Sequence, residues 1–580
     1  MKPIRWIVAT LAAVGCLAGP AGAGDWPQWG GTADRNMVSD AKGLPDRFDA
    51  LAATARPVGG NPRRPPQDPP SPATTNVKWA ARLGTQTYGN PTVSGGRVFV
   101  GTNNGAPRDP KYVGDRGVLM CFDEADGRFL WQLVVPKLPQ GGQFNADEPG
   151  LGICSSPTVD GDRVYVTTSR CEVLCLDVKG MADGNGGPFK DEAACVAKPR
   201  DFSVTEEQGE MVVRSEPGDP VAIGPTDADI LWRFDMLGRL KVWPQDATNC
   251  SVLIWKNYVY VTTSNGVDKS HAHVPSPKAP SLIVLDKRTG ELVAVDDADI
   301  GPRILHGQWS SPSLGVVGGR TLVFYGGGDG CLYAFDAEPV PGKGGAPGRL
   351  RKVWWFDCNP PEYRVGENGK PIPYKSRAGG KDKDKGAGRG PSEIIATPVF
   401  HDGRVYVAVG QDPRHGPGAG CLSCVSAGGT GDVTRSGLIW RATGVDRSLS
   451  TVSVADGLVY AADYTGVLHC LDSRTGQTVW THDCESRVWG STLVADGKVY
   501  LGTEGRRLLV LAAGREKKVL GEINMGAPVY TTAVVANGVL YVASQRWLYA
   551  VQAGIGPRSA STAKSMAGQP HPPAGEAGDA

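Results

Sequence analysis

A four-strand unit recurs along this chain, and the repetition constrains the fold more than any other sequence feature. Each copy begins with a small or hydroxyl residue, continues through a short apolar strand and a Gly or Asp turn, and reaches a strand like "GRVFVGT" at residues 96–102. A third strand ending in Leu-Asp or Phe-Asp follows, and then a fourth strand that carries Trp. The cleanest copy runs from Ser448 to Trp480. A single unit cannot bury its apolar faces alone, so neighbouring copies must stack.

One aromatic residue in the second strand marks each copy. These residues are Phe99, Tyr165, Tyr260, Phe324 or Tyr325, Tyr406, Tyr460, Tyr500 and Tyr541. The last copy lacks a fourth strand, and the segment "NVKWAARLG" around Trp79 can supply it. We therefore predict an all-β fold over residues 76–553: an eight-bladed β-propeller with four-stranded antiparallel blades, in which the N-terminal strand completes the last blade. Such closure removes the open sheet edges.

The segments outside the repeats give the remaining organisation. Residues 1–23 have the basic start, apolar stretch and small-residue cleavage pattern of a signal peptide, which predicts export to the periplasm or cell envelope. A lipid anchor at Cys16 is the alternative use of this segment. The Pro- and Gly-rich residues 24–75 are expected to wrap the propeller or to be partly disordered, the stretches 179–229 and 363–390 are insertions, and 554–580 is a disordered tail.

The net charge and the hydropathy argue against nucleic-acid binding and against a membrane-spanning helix. The formal net charge is +1, which gives no electrostatic reason to expect nucleic-acid binding. No segment has the apolar length of a transmembrane helix. For an exported repeat protein of this kind, we predict that the partner is a protein or polymer of the cell envelope.

The repeat register explains most tryptophans and several cysteines. The fourth-strand tryptophans are predicted to pack between blades, and they are Trp79, Trp131, Trp232, Trp355, Trp440 and Trp480. Cys121, Cys175, Cys424 and Cys470 share a third-strand position with Ala and Val, which predicts buried free thiols. One or two disulfides are expected among the other cysteines, with the pairing left open.

The repeats "TGVLHCLDSRTGQTVW" (465–480), "GDGCLYAFD" (328–336) and "GVLMCFDEADGRFLW" (117–131) resemble the tryptophan-docking repeat of the pyrroloquinoline-quinone (PQQ) family. The segments "WPQWGG", "HGQWSSP" and "IIATPV" are similar to those of exported propellers of planctomycete type. A more distant resemblance is to the propeller lipoprotein of the outer-membrane barrel-assembly machinery. The resemblance implies either a quinoprotein dehydrogenase that holds PQQ and calcium or a non-catalytic propeller.

A ring of small polar residues begins the first strands, which line the central channel of a propeller. Its members are Asn90, Ser156, Ser251, Ser311, Thr397, Thr451, Ser491 and Thr532. Two interpretations stay open: the ring satisfies backbone groups where the axis is crowded, or it belongs to a ligand site at the channel mouth. Trp309 and Trp489 lie just outside it and do not belong to the docking set, and His306 and Gln308 are close by in sequence, so these four complete the candidate ligand site.

No catalytic or metal-binding residue is assigned from the sequence. His271 and His273 lack companion ligands at zinc spacing, so they are expected to be surface histidines. The chain also has no adjacent Cys-Cys pair of the kind that many alcohol-oxidising quinoproteins carry. We therefore expect a non-catalytic scaffold without a cofactor, which binds a protein, peptide or polymer in the cell envelope. The alternative is a PQQ-dependent dehydrogenase that oxidises an alcohol or sugar with quinone and calcium at the channel mouth.

Overall fold

Eight antiparallel sheets of four strands follow one another in the computed structural model, which describes residues 24–54, 75–138, 148–207, 210–246, 250–374 and 390–556. The prediction of an eight-bladed β-propeller is confirmed. The signal peptide, Cys16 and nearly all of the predicted tail lie outside the described residues. No helix among the described residues is long and apolar enough to cross a membrane.

The strands of blades 1 to 4 are, in chain order, Thr92–Ser94, Arg97–Asn103, Arg116–Asp123 and Phe129–Pro136; Thr158–Asp160, Arg163–Thr168, Glu172–Asp177 and Ile230–Asp235; Leu253–Trp255, Tyr258–Thr262, Leu282–Asp286 and Leu292–Asp296; and Ser313–Val317, Arg320–Gly326, Cys331–Asp336 and Lys352–Asp357. Those of blades 5 to 8 are Val399–His401, Arg404–Val409, Cys421–Ser426 and Leu438–Ala442; Ser453–Ala455, Leu458–Ala462, Val467–Asp472 and Thr478–Asp483; Leu493–Ala495, Lys498–Gly502, Arg507–Ala512 and Val519–Asn524; and Val534–Ala536, Val539–Ala543, Trp547–Val551 and Val77–Arg82.

Blade 8 is closed by the N-terminal strand, as the sequence predicts. Val77–Arg82 pairs antiparallel with Trp547–Val551, and Trp79 lies opposite Ala550. The same register occurs in blade 6, where Trp480 lies opposite Cys470. The chain termini of the propeller domain are thereby joined in one sheet, which leaves no unpaired break around the axis.

The docking tryptophans join six of the eight blades to the next blade. Their indole N–H groups donate to backbone carbonyls in the following blade, at 2.9–3.1 Å: Trp79 to Glu124, Trp131 to Val178, Trp232 to Lys287, Trp354 to Ala427, Trp440 to Ser473, and Trp480 to Gly514. Each indole also needs space in the next blade. A Cβ on Gly290, which has a φ of +73°, would lie 2.5 Å from the ring of Trp232.

Blade 4 corrects one assignment made from the sequence. Trp354, not Trp355, lies opposite Ala334 at the docking position and is fully buried. Trp354 packs against Phe324 at a centroid distance of 5.9 Å, which also identifies Phe324 as the marker aromatic of this blade. Trp355 lies on the other face of the strand and is partly exposed. Successive strand residues face opposite sides, so an error of one residue reverses the predicted environment.

The insertions add small elements at the periphery. Residues 179–229 contain a hairpin, and the ends of blades 3 and 4 each gain a short parallel strand. The elements outside the blade strands are the strands Val38–Ser39, Asp201–Glu207, Glu210–Glu216, Gly348–Leu350 and Gly431–Asp432, the α-helices Ala50–Thr54, Glu192–Cys195, Met236–Leu240 and Pro361–Arg364, and the 3-10 helices Gly180–Asp183, Gly301–Arg303 and Pro413–His415.

The cysteines of the described residues form no disulfide bonds. Cys121, Cys175, Cys424 and Cys470 are buried in their strands, as predicted. The expectation of one or two disulfides is wrong in this structure, because none of the twelve cysteines among the described residues forms a disulfide. Burial raises the pKa of the Cys421 thiol to about 11, so it is protonated and unreactive at neutral pH.

Residues 25–39, which we call the axial segment, lie against the innermost strands. In chain order their backbone contacts pass around the axis: Val93 and Trp26 exchange two hydrogen bonds, and the N–H groups of Val159, Leu314, Phe400 and Val494 donate to the carbonyls of Pro27, Ala33, Asp34 and Met37. The first strands end in unpaired polar groups that no further strand can satisfy. The axial segment satisfies them, which explains its path.

Candidate functional site

The predicted polar ring forms a belt of hydrogen bonds between blades. In seven of the eight steps around the axis, a ring residue donates its backbone N–H to the side-chain oxygen of the ring residue in the next blade, at 2.5–3.3 Å. Thr532 of blade 8 closes the belt by donating to Asn90 Oδ1 of blade 1. The ring oxygens therefore hold the blades together. A hydroxyl that accepts one N–H still has its own O–H to donate, so ligand binding by the ring stays a prediction.

The axial segment lies beneath this belt. It contacts the first strands three residues beyond the ring position in most blades, for example at Val93 after Asn90 and at Leu314 after Ser311. Three residues of strand correspond to about 10 Å. The channel thus has a floor of backbone and buried side chains, and its open end is the face on which the fourth-to-first and second-to-third strand connections lie.

Half of the mouth carries stacked aromatic rings, which we call the aromatic platform: Tyr88, Trp489 and Tyr530. Tyr88 and Tyr530 stack at a centroid distance of 5.1 Å, and Trp489 lies 5.0 Å from Tyr530. All three side chains are partly exposed. Each stands two residues before a ring residue of blades 1, 7 and 8, which are neighbours in the closed propeller. The indole N–H of Trp489 donates to Glu504 at 3.1 Å, which fixes the ring's orientation.

The other half of the mouth carries His271, His306 and His415, which we call the histidine cluster. One nitrogen from each ring lies within 4.8 Å of the other two. His306 precedes the first strand of blade 4, while His271 and His415 lie between the second and third strands of blades 3 and 5. His306 is buried, and the other two are partly exposed.

Glu393 and Tyr374 support the histidine cluster from the insertion before blade 5. The Tyr374 hydroxyl donates to Glu393 Oε1 at 3.1 Å and lies 2.9 Å from Nδ1 of His415. Glu393 Oε1 also lies 3.9 Å from Nδ1 of His306. Burial raises the pKa of Glu393 to about 8. Burial, with the two neighbouring histidines, holds the pKa of His306 well below its usual value, so this imidazole is neutral at pH 7.

The four remaining predicted site residues divide between the two halves. His306 and Trp309 pack at 5.3 Å in the histidine cluster's half, whereas Trp489 belongs to the aromatic platform. Trp309 donates its indole N–H to the Gln245 carbonyl. Gln308 is fully buried, accepts from the Tyr325 hydroxyl and donates to the Asn265 carbonyl, so its carboxamide supports loops.

Sequence reasoning missed several members of these clusters. His271, expected at the surface, is partly buried within the histidine cluster, and Tyr374 and Glu393 show no local pattern in the sequence. One general property of the fold could have indicated them: the fourth-to-first and second-to-third strand connections lie on the same face of a propeller. Polar and aromatic residues in those connections therefore meet, however distant they are in sequence.

The mouth residues do not fit a quinone held by calcium. Calcium takes six to eight oxygen ligands, but the histidine half of the mouth brings together three imidazoles and only two carboxyl groups, those of Glu393 and Asp412. The rings of His306 and Tyr374 stack at 5.8 Å next to Glu393.

Comparisons with known proteins agree with the repeat type. A family model described as "Outer membrane protein assembly factor BamB" matches residues 71–183 and 432–519. A quinohemoprotein alcohol dehydrogenase of Comamonas testosteroni is 33% identical over 81 residues, which are 12% of this chain and 11% of that protein. The chain thus spans about a tenth of the length of this curated relative.

Two solved structures resemble the chain. BamB from Moraxella catarrhalis has a TM-score of 0.46 and 13% identity, covering 82% of this chain and 99% of that chain. The quinohemoprotein alcohol dehydrogenase from Comamonas testosteroni has a TM-score of 0.42 and 15% identity, covering 92% and 81%.

Proposed function

This chain is a propeller of the PQQ-like repeat family, and from that premise we propose that it is a non-catalytic binding scaffold of the cell envelope. In this proposal it holds a peptide or polymer segment on the aromatic platform at its channel mouth. The observation that carries the proposal is the group of three partly exposed rings, Tyr88, Trp489 and Tyr530, stacked beside a polar belt. Single partly exposed aromatic rings are common on protein surfaces, whereas a contiguous group of them is more typical of a binding site.

The platform is suited to flat or ring-shaped groups. Aromatic faces stack on sugar rings, proline and aromatic side chains, and hydroxyl groups beside them can orient such groups by hydrogen bonds. The bond from Trp489 to Glu504 fixes the platform before any ligand arrives. A platform fixed in this way loses little conformational freedom on binding.

The axial segment favours a ligand that lies on the mouth over one that threads the channel. Arg35 is fully buried on the axis, where it donates to the carbonyls of Val252 and Pro312. A polymer passing through would have to displace this buried guanidinium.

The proposed location and partner class come from the sequence and the family. The signal-peptide pattern of residues 1–23 favours export, and the matching family model is named for a factor in outer-membrane protein assembly. A protein or polymer of the envelope is the partner that fits both.

Binding to the platform can be measured by the fluorescence of the protein on titration with envelope glycan oligomers and with a library of exported-protein peptides. We expect at least one class to bind, and Trp489→Ala and Tyr530→Ala to weaken that binding by about tenfold or more, the loss of one stacked anchor. Trp255→Ala is the matched control, since Trp255 is also partly exposed but ends a first strand on the opposite face. Equal binding by all three variants would move the ligand site elsewhere.

The dehydrogenase alternative has its own test. The purified full chain is incubated with PQQ and Ca²⁺, separated from free quinone, and assayed with a dye for alcohol and sugar oxidation. We expect no stoichiometric quinone absorbance and no turnover. One quinone per chain with dye reduction would overturn the scaffold proposal.

A further inference from the structure

The histidine cluster gathers three imidazoles from three blades at one point of the mouth face. The ring centroids of His271 and His306 lie 4.6 Å apart, those of His306 and His415 4.9 Å, and those of His271 and His415 5.7 Å. Nothing in the repeat requires this, because each histidine comes from a connection that other blades fill with different residues. The arrangement therefore needs an explanation of its own.

The polar atoms of the cluster point to a missing ligand. Neither ring nitrogen of His306 has a hydrogen-bond partner, although its side chain is only 1% exposed. His271 Nδ1 and Glu393 Oε2 are also buried without partners. Buried polar atoms are nearly always paired, so several unpaired atoms around one point indicate a group that would satisfy them together.

The neighbouring side chains orient one of the imidazoles. With its own proton donated to Glu393, the Tyr374 oxygen can accept from Nδ1–H of His415, which lies 2.9 Å away. That bond leaves the lone pair of His415 on Nε2. Metal-binding histidines almost always have the second ring nitrogen held in this way.

We propose that His271, His306 and His415 bind one divalent transition-metal ion of the zinc class at the channel mouth, with Glu393 as the adjacent carboxyl group. Imidazole nitrogens favour zinc, copper, nickel and iron over calcium and magnesium. Three histidines with one further position are a frequent zinc arrangement. Zinc–nitrogen bonds of about 2.0–2.1 Å place ligand atoms about 3.3 Å apart. The three imidazole nitrogens now lie within 4.8 Å of one another, so small rotations of the rings would bring them to bonding distance of one ion.

A bound ion would also restrain the loops at the channel mouth. It would tie loops of blades 3, 4 and 5 to one another, and through Tyr374 and Glu393 it would hold the insertion before blade 5. This inference is independent of the proposed platform, which involves other residues in blades 1, 7 and 8.

The test uses the full chain after chelator treatment, titrated with Zn²⁺ and Co²⁺. Metal content by mass spectrometry, the melting temperature, and the visible spectrum of the cobalt form are recorded. We expect one ion per chain, a higher melting temperature with metal, and tetrahedral cobalt bands without the thiolate-to-cobalt charge transfer that a cysteine ligand would add.

Variants locate the ion. His415→Gln and His306→Ala should each lower the affinity by more than 100-fold, and Glu393→Gln by about 10- to 100-fold, the usual effect of a supporting group. His273→Ala is the matched control, because His273 lies two residues from His271 in the same loop but faces Glu206 at 3.2 Å. It should bind as the wild type does.

Two results would overturn the proposal. One is less than one-tenth of an ion per chain under saturating metal. The other is stoichiometric binding, with wild-type affinity, by His415→Gln, His306→Ala and Glu393→Gln alike. His306 is buried, and its variant can lose stability. The partly exposed His415→Gln, checked for a wild-type melting temperature without metal, keeps the test decisive.

Discussion

The indole N–H of Trp29 donates a 3.0 Å hydrogen bond to the hydroxyl oxygen of Thr397, 368 residues further along the chain. This bond joins the axial segment to the polar ring. At the other seven steps of the ring, the side-chain oxygen accepts a backbone N–H from the preceding blade. At the step from Ser311 to Thr397, the Thr397 hydroxyl accepts from Trp29 of the axial segment instead. The N-terminal segment is thereby part of the belt that closes the propeller.

A double-mutant cycle measures this bond. Trp29→Phe and Thr397→Val each remove one partner, and each should lower the free energy of unfolding by about 1 kcal/mol or more. If the bond holds the segment to the ring, the two losses couple by about 1 kcal/mol in the double variant, as urea denaturation reports. Strictly additive losses would mean that the two residues act separately.

Arg35 should be the most sensitive position of the axial segment. Its guanidinium is fully buried and donates to the carbonyls of Trp29, Val252 and Pro312. Burial lowers its pKa to about 10, so it stays charged at pH 7. Arg35→Ala leaves several buried carbonyls unpaired and should cost about 3 kcal/mol or more in unfolding free energy.

The control for Arg35 is Arg47→Ala, an exposed arginine in the same N-terminal region. Its effect should stay within about 0.5 kcal/mol. Similar melting temperatures for the two variants would contradict a structural role of the axial segment.

The fold was predictable because its signals are local and repeated. One aromatic residue in the second strand of each repeat gives the number of blades. The additional strand around Trp79 predicts the closure, because an open sheet edge needs a pairing partner. The error at Trp354 and Trp355 has the same origin. Two adjacent tryptophans fit the pattern equally well, and only the pairing opposite Ala334 distinguishes them.

The site was less predictable because it depends on contacts between distant loops. His271, His306 and His415 show no metal-ligand spacing in sequence, and their proximity follows from blade order and loop direction. The path of residues 25–39 likewise depends on backbone groups of five different blades, which no local pattern records. The polar ring was recognised as a set, while its pattern of donors and acceptors required the structure.

Blade 4 offers a direct test of the docking register. Trp354 is buried and donates its indole N–H to Ala427 at 2.9 Å, whereas Trp355 is partly exposed. Trp354→Ala should lower the unfolding free energy by about 3–5 kcal/mol through the cavity it creates. Trp355→Ala, the matched control on the same strand, should cost less than half as much. The reverse order, measured by denaturant midpoints, would restore the assignment made from the sequence.

Asp463 should make the stability of blade 6 sensitive to acid. Burial opposes its ionisation, but hydrogen bonds from His469 at 2.8 Å and from Thr465 outweigh that effect, so the pKa of Asp463 lies below its ordinary value. A carboxyl group with a lowered pKa in the folded state stabilises the protein above the unfolded pKa, near 3.9, and loses that contribution as the pH falls below it.

The measurement is the difference in unfolding free energy between wild type and Asp463→Asn as a function of pH. It should be constant from pH 8 to about pH 5 and shrink below about pH 4, where the unfolded carboxyl group takes up its proton first. Asp456→Asn, at an exposed hairpin turn of the same blade, should leave the pH profile unchanged, because Asn also tolerates the φ of +50° there. A difference that grows as the pH falls would require a raised pKa for Asp463, and would mean that burial outweighs the bond to His469.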